Sequence, residues 1–451
     1  MRRDYLGNPV TVESEATLAG IDDFVGGFLS YEQRIVNILA AAEGDPGCCL
    51  ANVYAGVIWM FLEAPEAPAH AATFIARAEA AAAGATERER GALAHLKAWA
   101  AEDHGRALSI VDQVLADHPR DLALMKLGQY HAFNLGDFPR MLRLAHAVGD
   151  ACRDVPHWHG MAAFGYEQCH LLDKAEAAAT RAIDLQRKEP WAHHALAHVM
   201  LTRGRIREGI RFLDSVRDSW TGLNSFMHTH AWWHLALFHL SEGDFTRVLA
   251  IYDRDVWGIA KDYSQDQVGA VSLLARMEVA GVDVGDRWTD VGAYLAKREA
   301  DTVQPFLTMQ YLYGLARAGR PEAAALMEAV RRRAATAPEP LRPAWAEVAL
   351  PACEGLLAHA AGDWESARRL LGRALPRMAE VGGSHAQRDL FEQLHLDAVV
   401  KGGALVEAQQ MLERRRAHEP DGVPLNRLLA DVYARLGLPA EAAEAAGRAV
   451  R

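Results

Sequence analysis

The chain has 451 residues, half of them hydrophobic, and a formal net charge of -11 at pH 7. Its length exceeds the size at which a single core stops growing, so we expect several domains or an array of repeats. The negative charge argues against nucleic acid or an anionic membrane as the main partner, and we expect neither.

Residues 1–30 are interpreted as an N-terminal lead-in. The opening stretch MRRDYLGNPVTVES lacks the apolar run of a secretory signal. The longest apolar stretch, ANVYAGVIWMFLEAP, is shorter than the ~18 residues that a membrane span needs. The five cysteines form no C-x-x-C pair, and an odd number of them indicates free thiols rather than a disulfide framework. These features predict a cytoplasmic protein.

Residues 31–451 carry a recurring pattern of a glycine turn followed by an amphipathic run. The turns read LGDF, RGRI, EGDF, AGRP, AGDW and LGLP, with glycines at Gly136, Gly204, Gly243, Gly319, Gly362 and Gly437. Glycine ends a helix at little cost because it adopts positive φ. The spacings correspond to units of about 34 to 40 residues, the period of helix–turn–helix arrays, and strand signals are nearly absent. The predicted fold is all-α: one tetratricopeptide-like α-solenoid of antiparallel helix pairs forming a superhelix.

Histidines are concentrated in the middle of this array, where two H-x-x-x-H pairs repeat. His194 and His198 precede His230 and His234 by 36 residues each. Residues one repeat apart occupy equivalent places on neighbouring helices, and residues four apart share a helix face. The four histidines are therefore predicted to form a two-by-two patch, which faces a concave groove if the first helix of each pair lines it.

Five further residues extend this predicted patch. His159 lies 35 residues before His194, and Asp266 lies 36 residues after His230. Trp191 and Trp233 share a helix face with a patch histidine, and Glu167 lies on the groove face of its helix. We expect His159, Glu167, Trp191 and Trp233 to contact a ligand. The alternatives are ordinary repeat core for the tryptophans and a solvated carboxylate for Glu167.

The patch supports two kinds of chemistry. His194, His198, His230 and His234 suit a divalent transition metal such as Zn or Fe, and Asp266 is then a further ligand or orients an imidazole. Without metal, His194 and His230 with Asp266 are candidate acid–base catalysts. In the third interpretation, the histidines are buried, hydrogen-bonded and purely structural. The reaction class stays open, because the chain has no phosphate loop, G-x-S-x-G, H-E-x-x-H or dinucleotide fingerprint.

Several segments resemble the tetratricopeptide repeat protein 38 family. They include WAHHALAHVMLTRGRIREGIRFL, HTHAWWHLALFHLSEGDFTRVLAIYD and GGSHAQRDLFEQL. The resemblance implies a tetratricopeptide-like helical array in a soluble, intracellular protein, without an established reaction. The four patch histidines and Asp266 match the family pattern. The chain departs from it after Phe306, where Thr308 and Gln310 stand in place of the Asp and His of F-x-D-x-H.

The segment GGSHAQRD has its own structural interpretation. Gly382 and Gly383 permit a tight turn, and Ser384 is a good N-cap for the following helix. Arg388 and Asp389 are predicted to pin that helix to the preceding one. The alternative is that Arg388 reaches into the groove and holds an anionic ligand.

Two functions remain in competition at this point. The first is a histidine-rich pocket that binds a small molecule or a metal ion. This hypothesis includes a metal-dependent or His/Asp acid–base enzyme and leaves open whether the protein is an enzyme. The second is a tetratricopeptide-type scaffold that holds a peptide in its groove. The predicted patch is rich in histidine and poor in lysine, which favours the first function. The sequence does not indicate an oligomeric state.

Overall fold

A computed structural model describes residues 2–450 of the chain. In that range the chain forms 24 α-helices, and the strands are two short ones that pair antiparallel, β1 (Arg2–Arg3) with β2 (Pro9–Val10). The predicted all-α, helical-repeat class is thereby confirmed. The chain divides into two compact units, residues 1–196 with 218–227, and residues 197–217 with 228–451.

The first unit is built from consecutive helix pairs. Its helices are α1 (Glu15–Ser30), α2 (Asn37–Gly44), α3 (Cys49–Met60), α4 (Ala67–Ala81), α5 (Glu87–Ala100), α6 (His104–Asp117), α7 (Leu122–Asn134), α8 (Phe138–Cys152), α9 (Pro156–Gln168) and α10 (Leu172–Leu185). Helices α3 and α4, α5 and α6, and α9 and α10 pack closely together as neighbours in sequence. The segment interpreted as a lead-in contains α1, whose residues Ile21, Phe24 and Val25 are buried in the core of this unit.

The second unit continues the pairs to the C-terminus. Two helices begin among residues of the first unit and end in the second, α11 (Pro190–Thr202) and α13 (Ser225–Ser241). The others are α12 (Ile206–Val216), α14 (Phe245–Ile251), α15 (Ser264–Val279), α16 (Arg287–Leu295), α17 (Pro305–Arg317), α18 (Glu322–Thr336), α19 (Leu350–Ala361), α20 (Trp364–Ala374), α21 (His385–Lys401), α22 (Leu405–Arg416), α23 (Val423–Arg435) and α24 (Pro439–Arg448).

Short 3-10 and π segments extend or join these helices. The 3-10 segments are Gln33–Val36, Ala82–Gly84, Arg217–Trp220, Ala296–Arg298 and Leu375–Val381, and the π segments are Tyr252–Val256 and Ala344–Ala349. A proline-rich stretch, APEPLRP at residues 337–343, precedes the second π segment, which runs directly into α19. The stretch is therefore a connection within the second unit.

The recurring glycine turns have the conformation that the sequence predicts. All six of the glycines named above have φ between 65° and 77°. In the three turns that read G-D-aromatic, the aspartate is the N-cap of the next helix: Asp137, Asp244 and Asp363 each accept a hydrogen bond from a backbone N–H three residues on. The glycine therefore ends one helix and the aspartate begins the next, which fixes the antiparallel pair.

Within the second unit, α21 packs against α15. Arg276 on α15 donates a hydrogen bond of 2.7 Å to the carbonyl of Ala386. Thr202 on α11 contacts His385, with 2.9 Å between Oγ1 and Nε2. The rings of Phe306 and Phe391 meet edge to face. The first helices of the pairs in this unit thus pack against a later helix of the same chain.

Another close approach in the second unit predicts a mutational effect. Gly204 has φ +65°, and a Cβ there would lie 2.4 Å from the carbonyl oxygen of His418, in the turn after α22. Gly319 has the same φ but no atom within 4 Å of its added Cβ. We expect Gly319→Ala to cost about 1–2 kcal/mol from backbone strain alone. Gly204→Ala should cost a further ~1–3 kcal/mol, because backbone must move.

Urea denaturation of the two variants and the parent protein measures this difference. Equal losses of unfolding free energy in the two variants would show that the turn after α22 does not pack on Gly204.

No helix among residues 2–450 combines the length and the apolar composition that a bilayer crossing needs. The five cysteines are free thiols, as predicted, and Cys48, Cys49, Cys152 and Cys353 are buried.

Candidate metal centre

The four patch histidines lie on two helices that are buried over most of their surface. On α13, every residue from Thr229 to Phe238 is buried, and α11 is buried from Ala192 to Met200. Helices that are apolar on all sides belong in a protein interior. The i, i+4 spacing then places both histidines of each helix on one face, one turn apart.

These histidines converge in the structure. His194, His198, His230 and His234 each offer a ring nitrogen, and these atoms all lie within 4.8 Å of one another. The side chains are 4%, 0%, 8% and 1% exposed, respectively. The helix α11 runs unbroken from Pro190 to Thr202, so His194 is held one helical turn from His198 by local geometry. We call this set the four-histidine group.

The histidine rings within the group are inclined to one another rather than stacked. The Nε2 atoms of His230 and His234 are 3.3 Å apart, and the two rings are nearly perpendicular at 87°. The rings of His198 and His234 have centroids 4.6 Å apart and are inclined by 53°. Ring nitrogens of different side chains therefore lie close enough together to share one ion.

Burial keeps the imidazoles of His198 and His230 neutral near pH 7. Removal from water lowers the pKa of His198 to about 3, and the positive charge of Arg388 contributes to the shift. The pKa of His230 is likewise lowered to about 3, mainly by burial and secondarily by His198. A neutral imidazole retains a lone pair on one ring nitrogen, which is the form that binds a metal ion.

A tryptophan ring packs against each histidine pair. Trp191 stacks on His194 with ring centroids 4.4 Å apart. Trp233 lies parallel to His230, at 9° and 5.3 Å, and meets His234 edge to face. The guanidinium carbon of Arg276 lies 5.5 Å from the centre of the Trp233 ring. The two tryptophans thus fix the ring planes of the histidines that they contact.

Asp266 is not a member of the four-histidine group. It is fully buried at the start of α15, where one carboxylate oxygen accepts from the Thr229 hydroxyl and the other from the Ala260 N–H. These bonds tie α15 to the residue that precedes His230. The position suits a carboxylate that orients the helix carrying His230.

Of the other residues expected to contact a ligand, Glu167 belongs to a second set with His198 and His385, whose ligand atoms all lie within 4.8 Å of one another. His159 belongs to neither set. His159 is partly exposed, and its Nε2 lies 3.0 Å from the Arg153 carbonyl oxygen. The buried histidine of that helix is His157, whose Nδ1 is 2.5 Å from a carboxylate oxygen of Glu189. Glu167 is buried on α9 and accepts a hydrogen bond from the Gln168 side chain.

The GGSHAQRD segment forms the start of α21. Ser384 and Gln387 make a reciprocal capping box, as the N-cap prediction requires. Arg388 donates a hydrogen bond to the Gly383 carbonyl. Asp389 accepts from Arg415 at 2.6 Å and lies 3.7 Å from Arg276, so it joins α21 to α22 and α15 rather than to the preceding helix.

The two positions that depart from the family pattern are part of the packed interior. The Thr308 hydroxyl lies 2.9 Å from the carbonyl oxygens of both Asp301 and Gln304, which is a structural role within α17. Gln310 is 2% exposed.

Two groups of histidines were missed by the sequence analysis. His385 meets the His198 ring edge to face at 5.2 Å, and no local signal links positions 187 residues apart. In the first unit, His131 Nε2 is 3.0 Å from His95 Nε2, and His131 Nδ1 is 3.3 Å from His104 Nδ1. His95 and His131 are 36 residues apart, so the period that revealed the four-histidine group would have revealed this pair as well.

The His95–His131 pair predicts how stability depends on pH. Burial, with a smaller contribution from the charge of His104, lowers the pKa of His95 to about 3, and burial lowers that of His131. The unfolded chain binds a proton at each near pH 6.5, whereas the folded chain does not. Their stabilising contribution is therefore full above about pH 6.5 and falls as the pH drops towards 3.

We expect His95→Gln, which has no titrating ring, to reduce the loss of unfolding free energy between pH 7 and pH 5 by about 2 kcal/mol. Urea denaturation at the two pH values measures it, with His70→Gln, an exposed position, as the control. A loss of stability identical to that of the parent protein would contradict the assignment.

No family model matches the chain. Solved structures of helical-repeat proteins are similar to it in fold. The human IFIT1 dimer with m7Gppp-AAAA is 11% identical over 100% of this chain and 97% of its own, with a TM-score of 0.41. Naa15/Naa10 bound to HypK-THB is 13% identical over 95% and 68%, with a TM-score of 0.26. Yeast Tom70 is 10% identical over 78% and 89%, with a TM-score of 0.22.

One expectation about partners is corrected by this comparison. The net charge was taken to exclude nucleic acid, yet the IFIT1 structure holds a capped RNA, m7Gppp-AAAA. The exclusion is wrong because net charge is a sum over the whole surface, and it carries no information about any one local surface.

Proposed function

We propose that this protein binds one divalent transition-metal ion, Zn²⁺ or Fe²⁺, through His194, His198, His230 and His234. The observation that supports it is the convergence of four buried ring nitrogens within 4.8 Å. Ligands at the ~2.0–2.1 Å typical of zinc–nitrogen bonds lie about 3.3–3.4 Å apart in a tetrahedron. The 3.3 Å between the Nε2 atoms of His230 and His234 agrees with that spacing.

The chemistry of the donor set also fits such an ion. Imidazole nitrogen suits zinc, iron, copper and nickel, whereas calcium and magnesium require oxygen ligands. The low pKa values of His198 and His230 mean that no proton competes with the metal near neutral pH. We assign Trp191 and Trp233 to holding the imidazole planes, and Asp266 to orienting the helix that carries His230.

The same pKa values weigh against metal-free acid–base catalysis. A general base acts most effectively when its pKa lies near the working pH. His230 titrates at about 3, and Asp266 already accepts hydrogen bonds from Thr229 and Ala260. The packing of α21 on α15 similarly disfavours an open peptide groove in the second unit. We therefore prefer a metal centre to both alternatives.

The shared segments lead us to propose membership of the tetratricopeptide repeat protein 38 family and a cytoplasmic location. This assignment concerns ancestry and location, and the metal centre does not depend on it.

Metal analysis tests the proposed function. Protein dialysed against Zn²⁺ and then against metal-free buffer should retain one ion per chain by mass spectrometry. The double variant His198→Ala/His230→Ala should retain less than one tenth of that amount. His118→Ala, outside the four-histidine group, should behave as the parent protein. Retention of no metal by the parent, or of equal amounts by the double variant, would refute the proposal.

A further inference from the structure

We propose that Glu167, His198 and His385 bind a second divalent transition-metal ion, Fe²⁺ or Zn²⁺, beside the ion of the four-histidine group. The two ions share His198 as a ligand. This inference extends the proposed function to a centre of two ions, and it rests on that proposal for the first of them. We call these three residues the carboxylate set.

The carboxylate set converges in the same way as the four-histidine group. One ligand atom from each of its three side chains lies within 4.8 Å of the other two. The residues come from three different helices, α9, α11 and α21. Glu167 and His198 are fully buried, and His385 is partly exposed. Water therefore reaches the set at His385.

Neighbouring side chains orient two members of the set. The Gln168 amide donates a hydrogen bond of 2.5 Å to one carboxylate oxygen of Glu167. The Thr202 hydroxyl lies 2.9 Å from Nε2 of His385. Outer contacts of this kind hold metal ligands in place at known metal centres. A carboxylate has two oxygens and an imidazole two nitrogens, so neither contact uses both ligand atoms of its side chain.

The composition of the set differs from that of the four-histidine group. Four imidazoles fill a tetrahedral shell, whereas two histidines and one carboxylate leave coordination positions open. Catalytic zinc sites and non-haem iron sites use this combination of three protein ligands. The negative charge of Glu167 also offsets part of the charge of the ion, which no member of the four-histidine group does. The second ion is therefore the one whose shell has room for water.

His198 links the two ions. An imidazole has two ring nitrogens, and each of them binds an ion once the remaining N–H proton has passed to solvent. The first ion repels a second cation, and so does the positive charge of Arg388, which already acts on His198. The second ion should therefore bind more weakly than the first and be lost in dialysis against metal-free buffer.

Equilibrium dialysis of the full chain against rising, buffered concentrations of Zn²⁺ counts both ions. We expect the parent protein to bind two ions per chain at saturation. Glu167→Gln, which keeps the shape of the side chain, and His385→Ala should each raise the dissociation constant of the weaker ion at least about 100-fold and leave that of the tighter ion within about threefold. Retention of the tighter ion shows that these variants are folded.

Further variants separate the two sites. The double variant His194→Ala/His234→Ala keeps the whole carboxylate set and should lose only the tighter ion. His198→Ala should weaken the binding of both ions. Glu441→Gln and His118→Ala, which lie outside both sets, should match the parent protein.

Each contrary result has a separate meaning. A parent protein that binds a single ion at saturation would overturn this inference and leave the four-histidine centre intact. Two ions bound with unchanged affinity in Glu167→Gln would exclude Glu167 from the second site. Loss of only one ion in His198→Ala would refute the shared ligand. A parent protein that binds no zinc would overturn the proposed function, and this inference with it.

Discussion

Replacing His234 with alanine is expected to weaken Zn²⁺ binding by at least about 100-fold. His234 is 1% exposed, and its ring contacts those of both His198 and His230. Loss of a residue that only supports a metal ligand costs about 10–100-fold in affinity, so loss of a ligand should cost more. Competition with a chromophoric chelator at pH 7 measures the affinity.

His239→Ala is the matched control for that experiment. It lies on the same helix, α13, five residues later, and its Nδ1 is 3.7 Å from Asp244 at the surface end of the helix. Its zinc affinity should stay within threefold of the parent. A His234 variant that binds zinc as tightly as this control would exclude His234 from the ligand set.

Replacing Arg88 with methionine is expected to lower the free energy of unfolding by about 3–5 kcal/mol, the usual cost of breaking a buried ion pair from one side. The Arg88 side chain is 1% exposed and lies 3.0 Å from Asp121 and 3.4 Å from Asp4, both also buried. It also donates to the Pro9 carbonyl. Its removal leaves two carboxylates facing each other without a cation.

Urea denaturation of Arg88→Met and of Arg90→Met measures this effect. Arg90 is exposed on the same helix, α5, and its replacement should change the free energy of unfolding by less than about 0.5 kcal/mol. Similar losses in the two variants would show that the Arg88 ion pairs do not stabilise the first unit.

The local part of this architecture follows from the sequence. Glycine turns end helices at the predicted residues, and the G-D-aromatic turn supplies both a helix end and the next N-cap. The convergence of four histidines was also predicted, because it needs only two regularities of the sequence. The 36-residue spacing puts His194 and His230, and His198 and His234, at equivalent places on neighbouring helices, and the spacing of four puts each pair on one helix face. The ligand roles of these residues stay a prediction.

Contacts between distant segments could not be predicted in this way. The packing of α21 against α15 joins residues 110 apart, as in the bond from Arg276 to Ala386. The neighbour of the group on α21, His385, follows from the position of that helix and from no repeat spacing. The sequence also did not predict which histidine near the start of α9 faces the interior. The helix starts at Pro156, and it buries His157 while leaving His159 partly exposed.

X-ray absorption at the zinc edge tests the central claim most directly, because it reports the atoms bound to the ion. For protein that retains one zinc ion per chain after dialysis, we expect about four nitrogen neighbours at ~2.0 Å, with the outer-ring scattering of imidazole. Sulfur neighbours, or a shell of oxygen atoms without imidazole scattering, would contradict the assignment of these four histidines as ligands.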